Sequence, residues 1–63
     1  MNYKNSVVID KIIKIDHNRN NEINYSYYIQ LRFYNKVFNK YDFVKVKVYK
    51  YEYYSINVSD TIK

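Results

Sequence analysis

His17 stands beside Asp16 and is the only imidazole in a chain of 63 residues. A histidine next to a carboxylate is the smallest unit from which a general base can be built. A hydrolytic or transfer site also needs a nucleophile held against that base. The chain has no cysteine, and nothing in the spacing sets a serine against His17. The carboxylates are Asp10, Asp16, Glu22, Asp42, Glu52 and Asp60. A metal site needs several such ligands to converge, usually with histidine or cysteine among them. Asp16 and Glu22 flank one loop, where facing charges are more often solvated than catalytic. There is no glycine, hence no glycine-rich loop for phosphate. The expectation is a chain without catalytic residues, metal or cofactor, in which His17 is solvated loop surface.

A different chemistry is suggested by charge and aromatic content. The chain carries a net charge of +5 and ten tyrosines. Basic charge attracts phosphate, and aromatic rings stack on bases. Composition supplies a competing reason. Asparagine, lysine, isoleucine and tyrosine make up 36 of the 63 residues, and all four have A/T-rich codons. Glycine, proline and alanine, whose codons are G/C-rich, do not occur. A low-G/C genome, such as that of a phage or mobile element in a low-G/C bacterium, would produce much of this composition without selecting for binding.

The residues that could carry such binding are placed by strands. From 22 to 34, Ile23, Tyr25, Tyr27, Ile29, Leu31 and Phe33 alternate with Glu22, Asn24, Ser26, Tyr28, Gln30, Arg32 and Tyr34. A strict period of two over this length predicts a half-buried strand. Before it, residues 7–15 read as a strand with Val7, Ile9, Ile13 and Ile15 on one face and Val8 and Ile12 on the other. Lys11 breaks the row, so a β-bulge near it is expected. The connection, residues 16–21, is polar and rich in asparagine, which tolerates positive φ and can stand in for glycine. Val44, Val46 and Val48 mark a third strand, with Phe43, Lys45, Lys47, Tyr49 and Tyr51 opposite them. The connection from 35 to 42 offers turns at Asn35-Lys36 and Asn39-Lys40, with Val37 and Phe38 extending one strand or the other. After Tyr51 the alternation fails. Residues 52–55 allow a short helical turn, and Thr61 and Ile62 a last short strand.

Together these elements predict a single small all-β domain spanning residues 1–63, an antiparallel sheet of about five strands. Three long strands, a turn and short strands resemble small barrels of the SH3-like or OB-like kind. The ending Ile56-Asn57-Val58-Ser59-Asp60-Thr61-Ile62 is similar to the closing segment of such modules, with Ser59 where glycine is usual. That resemblance concerns fold alone. A glycine-free chain has difficulty with tight barrel corners. The alternative is an open twisted meander that completes its core by forming a homodimer, which would also pair exposed strand edges. A chain this short buries only about 60% of its unfolded surface, so its core is small.

On this plan the outward face of the two best strands carries Tyr28, Arg32 and Tyr34 from one, and Lys45, Lys47, Tyr49 and Tyr51 from the other. Cations interleaved with rings form the surface on which OB-folds and cold-shock domains bind single strands. Two readings follow. One is a non-enzymatic module that binds single-stranded nucleic acid through this face. The alternative is a protein-interaction module, such as a phage- or mobile-element-encoded inhibitor of a host protein, because tyrosine also serves interfaces well. No run approaches the roughly 18 apolar residues of a membrane span. The apolar run after Met1-Asn2-Tyr3-Lys4-Asn5-Ser6 is cut short at Asp10, too early for a secretory signal. The expected location is therefore the cytoplasm of the producing or host cell.

Overall fold

A computed structural model describes residues 4–63; the N-terminal expectation for Met1, Asn2 and Tyr3 lies outside them. Three strands, β1 (Val7–His17), β2 (Ile23–Asn35) and β3 (Lys40–Val48), are followed by one helix, α1 (Lys50–Ser55). The strands form one antiparallel sheet in the order β1-β2-β3.

The all-β character matches the sequence pattern, but the count of five strands and the closed barrel do not. β1 and β3 never pair, so the sheet is open. After Val48 the chain forms a helix, and only a short C-terminal segment remains to pair. That segment is not a strand of its own. It makes an isolated bridge between Thr61 and Val7. Around the bridge, Val8 N donates to Asp60 O, Ser59 N to Val8 O, Ile62 N to Ser6 O and Asn5 N to Ile62 O, at 2.6–2.8 Å. The start of β1 is thereby covered, whereas its continuation and the outer edge of β3 have no strand neighbour among the described residues.

The expected bulge is present, two positions before Lys11. The register slips between Val8 and Asp10, leaving Ile9 as the extra residue. A bulge reverses the in–out phase of everything beyond it. Val8 therefore lies opposite Leu31, and Lys11, Ile13 and Ile15 lie opposite Ile29, Tyr27 and Tyr25. This corrects the expected row of Val7, Ile9, Ile13 and Ile15. Val8 is the β1 residue that enters the core, and Ile9 is exposed.

The face bearing Val8, Ile29, Leu31 and Val48 is the inner face, and these four are its buried hydrophobic residues. Tyr27, Val44, Val46, Tyr53, Ile56 and Ile62 pack around them. Six residues are too few for a stable isolated helix, so α1 depends on packing. Tyr53 lies 5.3 Å from Tyr27, centroid to centroid, and Lys11 Nζ lies 4.3 Å from the Tyr53 ring. The Glu52 carboxylate accepts from Tyr49 N at 3.1 Å, satisfying a backbone donor at the helix start.

Asparagine does take the place of glycine. Asn5, Asn21 and Asn39 have φ of 68°, 58° and 54°. In the first hairpin, Asn18 Oδ1 accepts from Asn20 N and Glu22 N at 2.9 and 3.0 Å. In the second, Asn35 Oδ1 accepts from Val37 N and Phe38 N, while Asn35 Nδ2 donates to Asp42 Oδ2 at 2.8 Å. Both asparagine-lysine pairs thus bound one turn, and Val37 and Phe38 sit at its exposed tip rather than in a strand. Ser59, in the position where glycine was the usual residue, has φ of 81°.

Ser6 is 1% exposed, and its Oγ has no hydrogen-bond partner among the described residues. An unpaired buried hydroxyl costs about 1–3 kcal/mol. Ser6→Ala is therefore expected to stabilise the fold by up to about 1 kcal/mol after the lost packing is counted, read as a higher urea midpoint. A lower midpoint would mean that the hydroxyl is bonded in solution.

Candidate functional site

The face opposite the core is set by the same register. On it Tyr28 lies across from Lys47, Gln30 from Lys45, Arg32 from Phe43, and Tyr34 from Tyr41. Five of the residues expected at a binding face, Tyr28, Arg32, Tyr34, Lys45 and Lys47, therefore share this outer face. The six steps from Tyr28 to Tyr34 span about 20 Å at the rise of an antiparallel strand.

Diagonal neighbours are in contact as well as direct ones. Lys45 Nζ lies 5.2 Å from the Tyr28 centroid, and the Arg32 guanidinium lies 4.9 Å from that of Tyr41. Both are within the ~6 Å range of a cation–π contact. Tyr34 and Tyr41 meet edge to face at 5.4 Å, and the Tyr34 hydroxyl donates to Asn39 Oδ1. Cations and rings thus lie side by side across β2 and β3.

The carboxylates are kept off this half of the face. β2 has none, and the only one on β3, Asp42, lies opposite Phe33 on the inner side. Asp42 is also occupied, by Asn35 and by Lys40 at 3.9 Å, the only ion pair among the described residues. Asp10 and Asp16 share the outer face, but they lie on β1, opposite Gln30 and Asn24. Arg32, Lys45 and Lys47 therefore present positive charge without a carboxylate partner.

Tyr49 and Tyr51 fall outside this array, because β3 ends at Val48 rather than at Tyr51. Tyr49 precedes α1 and Tyr51 lies within it. Their rings stack on each other, 5.7 Å apart with planes 6° from parallel, and both are exposed. The Glu52 carboxylate on Tyr49 N, which starts the helix, is what ends the strand spacing there.

Sequence reasoning left out Phe43 and Tyr41. Phe43 is 58% exposed in the middle of the array, opposite Arg32 and two residues from Lys45. Its signal was available, since it alternates with Val44 and Val46 on the side of the lysines. Tyr41 was hidden by the uncertain position of the second turn.

His17 is the last residue of β1, opposite Ile23, rather than a loop residue. Asp16 lies opposite Asn24, so these sequence neighbours face opposite sides of the sheet. Glu22 accepts from Asn18 Nδ2 at 2.9 Å. No group of three or more histidine or carboxylate side chains able to hold a metal occurs among the described residues. No helix among them is long and apolar enough to cross a membrane. No protein-family model, curated protein or solved structure matches this chain.

Proposed function

We propose that this chain is a non-enzymatic module that binds single-stranded nucleic acid on the outer face of β2 and β3. The observation that carries this reading is Phe43, an exposed ring midway along β3, flanked by Arg32 and Lys45 with no carboxylate on the outer face of β2 or β3. A phenyl ring exposed there adds nothing to the core. It does offer a surface on which a base can stack, while the neighbouring cations meet the phosphates. Tyr34 and Tyr41 continue the stacking surface toward the turn, and Tyr28 and Lys47 continue it toward α1. The open, unpaired geometry suits splayed bases better than a stiff duplex.

Fluorescence anisotropy of labelled single- and double-stranded DNA and RNA, titrated with the protein at low and near-physiological salt, tests the reading. Each neutralised phosphate of a single strand contributes about 0.7 to the slope of log K against log salt. Contacts from Arg32, Lys45 and Lys47 therefore predict a slope of about −2 and a preference for single strands. Equal, weak binding to all four that vanishes as salt rises would reduce the +5 charge to generic attraction. The same face would then be read as a docking surface for a host protein, where exposed aromatics and arginine are favoured.

A further inference from the structure

The β1–β2 hairpin continues past the end of β3. β2 pairs with β3 only from Tyr27 to Asn35, but with β1 as far as Ile23. The remainder is a two-stranded arm capped by the Asn18–Glu22 turn. On its inner face are Ile15, Ile23 and Tyr25, exposed by 55%, 51% and 54%, with His17 opposite Ile23 at the tip and Ile13, 40% exposed, at the base opposite Tyr27. β3 ends at Val48, opposite Tyr27, and so does not flank Tyr25 or Ile23. An isolated two-stranded ribbon is marginal in water and needs its apolar face covered.

The dimensions of the molecule indicate what covers it. The chain is 47 Å long with a radius of gyration of 14.0 Å, against about 10.6 Å for a compact chain of this length. It exposes 5260 Å², against about 4,400 Å² for a compact monomer of its mass. The excess is close to the ~800 Å² that each partner contributes to a standard interface. The strip itself has no lysine or arginine: Lys14 lies opposite Ser26 on the other face, and Lys11, which borders the strip opposite Ile29, sits over the Tyr53 ring. Two copies of a +5 protein can meet there without setting like charges against each other.

We propose that a second copy of this chain covers the arm. The two inner faces pack about a two-fold axis, with Ile13, Ile15, Ile23 and Tyr25 of one protomer against the same strip of the other. Such an isologous contact uses up its own surface and closes at two. Packed sheets stand about 10 Å apart with their inner side chains interdigitated, so the arms form a second core beyond the one under α1. The outer faces stay open on both protomers. The dimer uses the face opposite the proposed nucleic-acid surface and does not depend on it.

Sedimentation equilibrium at about 100 μM, a concentration that populates even the micromolar interfaces of this size class, tests the dimer. The expected mass is twice the 7.9 kDa of the chain. Ile15→Lys and Ile23→Lys are each expected to sediment at the single-chain mass with an unchanged far-ultraviolet spectrum. Val37→Lys, at the distant turn, is expected to remain dimeric. If a lysine unfolds the arm, Ile15→Thr gives the same reading with a β-branched side chain of similar shape. A monomeric native chain, a dimer that survives the arm substitutions, or an assembly larger than two would overturn the proposal.

Discussion

Leu31→Ala is expected to remove most of the stability of this domain. Leu31 is 0% exposed and sits at the centre of a core whose buried members are Val8, Ile29, Leu31 and Val48. Truncating a buried leucine costs about 2–5 kcal/mol, from lost transfer free energy and the cavity left behind. A domain of this length holds only about 3–9 kcal/mol in total. No second layer can collapse into the space, because the sheet is covered on one side by a six-residue helix and a C-terminal segment. Urea denaturation followed by circular dichroism is expected to show the variant largely unfolded in buffer or with a midpoint shifted far down. Val37→Ala, at a residue 86% exposed, should stay within about 0.5 kcal/mol of the native chain. Equal midpoints for the two variants would mean that the inner face is not the core.

Phe43→Ala is expected to cost the proposed nucleic-acid interface most of its affinity while leaving the fold intact. Loss of one stacked base is worth about 1–3 kcal/mol, or about 5- to 150-fold in the dissociation constant. The ring carries no charge, so the slope of affinity against salt should not change. Lys47→Ala should behave in the complementary way, with a smaller loss of affinity at low salt and a slope reduced by about 0.7. Two variants on one face that move different parameters distinguish a stacking platform from a diffuse positive surface. If both bind as the native chain does, the outer face of β2 and β3 is not where nucleic acid binds.

Neither variant should disturb packing, because Phe43 and Lys47 are both exposed. The anisotropy titrations and the sedimentation experiment address opposite faces. A dimer without nucleic-acid binding, or binding by a monomer, would therefore separate the two proposals.

The strand character of residues 23–35 was determined by the sequence alone. A period of two sustained from Ile23 to Phe33 fixes which side chains share a face, whatever the neighbouring strands do. The same local rule brought Tyr28, Arg32 and Tyr34 together, and separately Lys45 and Lys47. Asparagine at Asn21 and Asn39 marked the turns, because without glycine it is the residue that most readily enters positive φ. These properties depend on a few adjacent residues and are therefore legible one segment at a time.

Other features depended on residues far apart in the chain. The position of the bulge at Ile9 follows from where Val8 meets Leu31, a contact between two strands, and the local pattern placed it nearer Lys11. The end of β3 was set by Glu52 reaching Tyr49 N and by Tyr53 finding Tyr27, so Tyr49 and Tyr51 left the array although their alternation continued. Whether the sheet closes depends on whether β1 and β3 can approach each other. With one bulge in β1 and residues 50–55 folded as α1 rather than as a further strand, they do not. The apolar arm was invisible for the same reason: Ile15, Ile23 and Tyr25 read as core until the register shows that β3 stops short of them, with Ile13 at the boundary.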